Sequence, residues 1–183
     1  MTMATTLQES AVPERDDHVT PEWLIELLEN ELGKFDLDPC GHPKHVHERI
    51  GQTYLLDRGE NGLELPWAGN VYVNPPYGRK IGAWLEKSYH ESLEGRVNLI
   101  ALLLPARTDT QWWTVCQEAQ EWIFLTGRVR FIDPDTGEVQ GSPKFPSAVV
   151  VFRRGERLHG GPVLSMLDIR EYQSLANKGE ANA

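Results

Sequence analysis

Apolar and polar positions alternate along the chain in two periods, one helical and one extended. In TPEWLIELLENELG (20–33), Leu24, Leu27, Leu28 and Leu32 fall at helical spacing. Pro21 suits a first helical turn, Gly33 suits a stop, and Thr20 is the expected cap. FDLDPC (35–40) alternates apolar and acidic residues before Pro39, which predicts a short strand ending in a loop, and YLL (54–56) is a further candidate strand. Val71–Val73 predicts a strand that runs straight into NPPYG (74–78). In RKIGAWLEKSYHESLEG (79–95), Ile81, Trp84, Leu85, Ser88, Tyr89 and Leu93 share one helical face. VNLIALLLP (97–105) is almost continuously apolar, as expected of a strand covered on both faces of a parallel sheet.

Beyond it, Trp112, Val115, Cys116 and Ala119 predict a helix capped by Thr108 or Asp109, and WIFL (122–125) predicts a strand. RVRFI (128–132) and SAVVVF (147–152) read as a closing strand pair joined by a long hairpin loop, and a short helix is expected near 164–176. Strands alternating with helices give an α/β fold: a three-layer α/β/α sandwich with a mostly parallel, Rossmann-like sheet ending in an antiparallel hairpin. The expected organisation is an N-terminal arm (1–19), one domain (20–157) and a C-terminal tail (158–183).

Composition narrows the classes. A chain of 183 residues suits one domain. It has no apolar run of about 18 residues, so no membrane span is expected. The first 17 residues lack the basic start and apolar stretch of a secretory signal, and two cysteines are too few for a disulfide framework, so a cytoplasmic location is expected. A net charge of −9 argues against a general polyanion binder. The charge is unevenly spread, however. Residues 1–66 carry 14 acidic and 5 basic side chains, whereas 124–157 carry 6 basic and 4 acidic.

In such sheets ligands sit outside the carboxyl ends of the strands, which directs attention to DPCG (38–41), NPPYG (74–78), PARTD (105–109) and the region after Leu125. Asn74 offers an amide oxygen, and the two prolines stiffen the backbone so that this oxygen and the Pro75 carbonyl can face one small space beside the Tyr77 ring. No residue of the corner is a strong base, nucleophile or metal ligand. Two acceptors and an aromatic face suit a flat molecule that carries an amino group.

Asn74-Pro75-Pro76-Tyr77 resembles the catalytic motif of amino-methyltransferases that act on adenine in DNA. Over about 20–152 the chain is similar to the small phage-type family of DNA adenine methyltransferases, through TPEWL (20–24), FDLDPCG (35–41), NGLELPW (61–67), NPPYG, LLLPARTDTQWW (102–113), GRVRF (127–131) and KFPSAVVVF (144–152). The resemblance implies methyl transfer from S-adenosyl-L-methionine to the adenine amino nitrogen of double-stranded DNA, in a bacterial or phage-infected cell. The base would be flipped out of the duplex. Asn74, Pro75, Pro76 and Tyr77 would be catalytic.

Asp38, Pro39, Cys40 and Gly41 would form the cofactor loop, although this chain lacks the usual second glycine soon after Gly41. Thr20 and Pro21 would approach the cofactor's methionine end, and Asn61 or Asp57 its ribose or adenine. Arg107, Arg128, Arg130 and Lys144 are candidates for DNA contacts, since phosphates are gripped by basic groups on a rigid edge. The Cys40, His42, His45 and His47 cluster has metal-ligating side chains, but its C-x-H-x2-H-x-H spacing matches no familiar zinc pattern, and no metal is expected. Two rival readings stay open: a catalytically inactive nucleic-acid-binding module of the same fold, and methylation of another planar amine or amide, such as cytosine, RNA or protein glutamine.

Overall fold

A computed structural model describes residues 18–155 and 160–180. The elements are α1 (Glu22–Leu32), β1 (Leu37–Asp38), β2 (Gln52–Thr53), β3 (Gly69–Val73), α2 (Ile81–Leu93), β4 (Val97–Pro105), α3 (Trp113–Cys116), β5 (Glu121–Thr126), β6 (Ser147–Arg153), β7 (Val163–Asp168) and α4 (Arg170–Glu180). One 3-10 turn spans Leu56–Arg58. The seven strands form a single Rossmann-like sheet in the order β2-β1-β3-β4-β6-β5-β7. Every neighbouring pair is parallel except the two that involve β6, which runs against both β4 and β5.

Successive residues of the central strands enter two separate cores, as the two-residue period of a strand requires. Tyr72, Leu99, Ala101, Leu103, Val149 and Val151 face the side covered by Leu24, Ile25, Leu27 and Leu28 of α1. Val71, Val73, Ile100, Leu102, Leu104 and Val150 face the side covered by Ile81, Trp84 and Leu85 of α2 and by Trp113 and Cys116 of α3. This double cover explains why β4 is buried at eight of its nine positions and reads as an unbroken apolar run.

Several local expectations are corrected. Thr20 does not cap α1: Pro21 holds the N-cap position and there is no side-chain cap, because the Thr20 hydroxyl is engaged by Tyr72 and Asn74. The YLL segment is not a strand; β2 lies just before it and the 3-10 turn begins at its last residue, Leu56. The helix expected after Asp109 shrinks to one turn, α3, without a side-chain cap, and Thr108 and Asp109 are exposed.

In RVRFI, Val129 and Phe131 are buried and Arg128 and Arg130 exposed, but among the described residues its strand pairing is limited to single bridges from Ile132 to Val19 and Val139. The antiparallel partners of β6 are therefore β4 and β5. The expected tail holds β7, a parallel edge strand on β5, before its helix begins at Arg170. The expected arm lies outside the described residues apart from His18 and Val19, and Val19 is buried. No described helix is long and apolar enough to cross a membrane.

Candidate active site

Four segments meet at the edge where β1, β3, β4 and β5 end. They are the loop after Asp38, the corner after Val73, the turn after Pro105 and the long loop 127–146. Because β6 runs backwards, that long loop both leaves and re-enters the sheet at this same edge. The start of α1 completes the rim.

Asn74 is the hub. Its Nδ2 donates to the His18 carbonyl and, at 3.1 Å, to Thr20 Oγ1. The Thr20 hydroxyl is in turn hydrogen-bonded to Tyr72 Oη at 2.7 Å, and both residues are fully buried. The amide is thus fixed by its nitrogen. Its oxygen, Oδ1, is buried and has no hydrogen-bond partner among the described residues. A buried acceptor without a donor costs free energy and marks a place where a ligand group belongs.

A cavity of about 290 Å³ is lined in part by Asn74. Pro39, Cys40, Gly41, Asn61, Asn74 and Pro76 line it, so six of the residues singled out by sequence converge there. Glycine is required at two of the walls by close approach. A Cβ on Gly62 would stand 1.9 Å from the Pro39 carbonyl oxygen, and one on Gly41 would stand 2.0 Å from Thr53 Cγ2. Trp67 Nε1 donates to the Gly62 carbonyl at 2.8 Å and fastens that wall to the core. Asn61 Oδ1 accepts from Leu63 N at 3.2 Å, which shapes the same turn.

A smaller cavity of about 30 Å³ adjoins, lined by Thr20, Asp38, Cys40 and Asn74 together with His45 and His47. Asp38 is buried and accepts from Cys40 N at 2.9 Å, so its carboxylate shapes the turn of the loop. Burial raises its pKa to about 6, against the lowering effects of His47 and of the Cys40 N–H. Burial, with the Asp38 charge added, pushes the Cys40 thiol well up, so it stays protonated and is no nucleophile.

Tyr77 stands on the other side of the corner. Its Oη donates to the Leu103 carbonyl at 3.3 Å, and burial raises its pKa, so it is a neutral phenol. Its ring lies 5.5 Å from His18 and from Phe145, and 6.2 Å from Phe131. The Arg107 guanidinium caps the far side of Phe145 at 5.6 Å. The long loop supplies two of these aromatics and is tied to His18 through Gln140, whose Oε1 lies 3.1 Å from His18 Nδ1.

Some expected residues sit elsewhere. Asp57 is exposed on the 3-10 turn and does not line either cavity; Pro21 and Pro75 are buried backbone supports. Arg128, Arg130 and Lys144 are exposed on the long loop. Sequence reasoning missed His18, Val19, Tyr54, Lys80 and Trp84 as lining residues. His18 falls in what reads as a polar arm, and Tyr54 and Trp84 read as core, so nothing in their local pattern separated them from structural residues.

A Rossmann-like sheet that holds an Asn-Pro-Pro-Tyr corner beside a glycine-walled cleft defines a protein of the methyltransferase fold class. The family model described as DNA N-6-adenine-methyltransferase (Dam) matches residues 8–181, and the chain belongs to that family. A DNA N-6-adenine-methyltransferase of Escherichia phage T1 is 29% identical over 157 residues, which cover 76% of this chain. The chain spans 63% of that relative's length. Among solved structures, a candidate RNA methyltransferase from Pyrococcus horikoshii superposes with a TM-score of 0.42 at 12% identity, covering 73% of this chain and 81% of its own.

Proposed function

We propose that this protein transfers a methyl group from S-adenosyl-L-methionine to the exocyclic amino group of adenine in double-stranded DNA, with the base turned out of the helix. The observation that carries the reading is the Asn74 amide, anchored through its nitrogen with its oxygen buried and unpartnered. A base amino group is a poor nucleophile because its lone pair is delocalised into the ring. Hydrogen bonds from its two N–H groups to Asn74 Oδ1 and the Pro75 carbonyl favour a pyramidal nitrogen and stabilise the positive charge that develops on it. The hydroxyl–amide relay Tyr72–Thr20–Asn74 holds the acceptor still while this happens. Tyr77, steadied by its bond to Leu103, provides the face on which the base stacks, an interaction worth roughly 1–3 kcal/mol.

The residues around the larger cavity fit the cofactor. Its walls include Gly41 and Gly62, where a Cβ would clash with Thr53 and Pro39, the apolar Leu56 and Leu63, and the aromatic Tyr54 and Trp84 for the cofactor adenine. Asn61 and Glu60 offer polar atoms for a ribose, and Asp38 offers a carboxylate for the cationic methionine end. When bound there, S-adenosyl-L-methionine supplies the electrophilic methyl group. Arg107, Arg128, Arg130 and Lys144 would meet phosphates at the rim, where the long loop overhangs the corner.

The test incubates the protein with methyl-labelled S-adenosylmethionine and duplex DNA containing all four bases, then digests the DNA to nucleosides. Label is expected in N6-methyl-2′-deoxyadenosine and is lost in Asn74→Ala with the fold intact by circular dichroism. Label in methylcytosine alone, or transfer persisting in Asn74→Ala, would overturn the assignment.

A further inference from the structure

We propose that Glu22, His45 and His47 form a zinc-class divalent-cation site that ties the 41–50 loop to the start of α1. The three side chains come from two separate parts of the chain, yet their ligand atoms all lie within 4.8 Å of one another. His47 Nδ1 is 2.6 Å from Glu22 Oε1, and His45 Nε2 is 4.0 Å from the same oxygen. The two imidazoles stand 5.6 Å apart at 78°, converging on one carboxylate from different directions.

A plain ion pair does not account for this arrangement. The second carboxylate oxygen, Glu22 Oε2, is buried without any hydrogen-bond partner among the described residues. His47 is itself only 6% exposed. One histidine suffices to pair Glu22, and a second beside it adds repulsion if both are protonated. A cation accepts one donor atom from each of the three side chains at once.

The donor set selects the metal. Two imidazole nitrogens and one carboxylate oxygen suit zinc and its transition-metal neighbours, whereas calcium and magnesium take oxygen ligands. Zinc bonds of about 2.0–2.2 Å in a tetrahedron set ligand atoms about 3.3 Å apart. The observed 2.6 and 4.0 Å bracket that spacing, so small side-chain rotations close the site. The small cavity that His45 and His47 line leaves room for a water as fourth ligand. The role is structural: the 41–50 loop walls both cavities, and α1 begins next to Thr20, which holds Asn74. Glu22 lies 23 residues before His45, which is why the Cys-His spacing alone matched no zinc pattern.

The experiment uses tag-free full-length protein stripped with a chelator and dialysed against metal-free buffer. Zinc is titrated against a chromophoric chelator, cobalt is titrated with visible absorption as readout, and thermal unfolding is recorded with and without zinc. One equivalent of saturable binding is expected, with a low-coordination cobalt spectrum and a zinc-dependent rise in Tm. His45→Ala and Glu22→Gln should each weaken binding by roughly tenfold or more and remove the Tm rise. Both residues are partly exposed, so the variants should fold, which circular dichroism checks. His90→Ala, on the surface of α2, should bind as the unaltered protein does. Absence of one-equivalent binding by the unaltered protein, or binding that survives in both variants, would overturn the proposal.

Discussion

Replacing Thr20 by valine asks whether the Asn74 amide is held from behind. Valine keeps the shape of the buried side chain and removes the oxygen shared by Tyr72 Oη at 2.7 Å and Asn74 Nδ2 at 3.1 Å. The Tyr72 hydroxyl is then left alone in a fully buried position, at a cost of about 1–3 kcal/mol, and Asn74 loses one of two donated bonds, worth about 1 kcal/mol. For a chain of this length each kcal/mol lowers Tm by roughly 2–4 °C, so a fall of roughly 10 °C is expected. Adding Tyr72→Phe removes the orphaned hydroxyl, and the double variant should recover about 1–3 kcal/mol.

Activity should separate from stability in the same set. Tyr72→Phe leaves the Thr20–Asn74 bond in place and should transfer methyl at nearly the normal rate. Thr20→Val should be slowed roughly tenfold, alone or with Tyr72→Phe, because about 1.4 kcal/mol of preference for one amide orientation is gone. Thermal unfolding and single-turnover transfer to duplex DNA measure the two quantities. Strictly additive stability losses would refute the relay, and so would a double variant restored to full rate.

Asp38→Asn should stabilise the fold while abolishing cofactor binding. The native pKa of about 6 lies above the ordinary aspartate value, so ionisation opposes folding as pH rises from about 4 to 6; removing the charge is worth at most about 3 kcal/mol at pH 8 and nothing below about pH 4, which unfolding at the two pH values measures. Glu91 behaves oppositely. Burial alone would raise its pKa, but Lys87 Nζ at 2.6 Å, Arg96 Nη2 at 2.9 Å and Trp67 N at 3.3 Å outweigh burial and hold it low. Glu91→Ala should cost about 3–5 kcal/mol in denaturant unfolding, and the carboxylate's contribution should fade as pH falls below the ordinary glutamate range. Reversing Arg128 and Arg130 to Glu should weaken DNA binding and lower the slope of log K against log salt by about 2, and binding isotherms at several salt concentrations that stay unchanged would reject the phosphate assignment.

The parts of this fold that showed in the sequence are those where one period wins. The stripe of α1, the buried run of β4 and the stiff corner at 74–78 each had a single reading. The parts that stayed hidden are those where tertiary partners decide. Arg128–Phe131 has the in–out alternation of a strand, but its flanks offer only isolated bridges. In β7, Leu164 and Met166 point to solvent while Ser165 and Leu167 are half-buried, an inversion that disguises an edge strand as part of a helix. Thr20 reads as a cap by every local rule, and only Tyr72 and Asn74, both more than 50 residues away, reassign its hydroxyl. The candidate site was legible where its residues are consecutive and opaque where a side chain arrives from a distance, as with His18 and Trp84.

The unpartnered Asn74 oxygen also bears on what the corner rejects. A buried carbonyl acceptor is satisfied only by a donor, and leaving it without one costs about 1–3 kcal/mol. An amino group relieves that cost. A base that presents a carbonyl at the same point, as guanine or thymine does, sets oxygen against oxygen and adds desolvation without relief. Such a mismatch would discriminate more strongly than pocket size, because it would leave buried polar groups unpaired. Rotating the Asn74 amide would convert the acceptor into a donor and admit those bases, but the His18 carbonyl and the Thr20 hydroxyl hold the nitrogen. Under the proposed function, Thr20 would therefore guard selectivity as well as rate. The same logic leaves adenine and cytosine, both amino bases, undivided by Asn74. Under the proposed function, choice between them would fall to the room around the Tyr77, Phe131 and Phe145 rings, two of which ride on the long loop that β6 brings back to this edge.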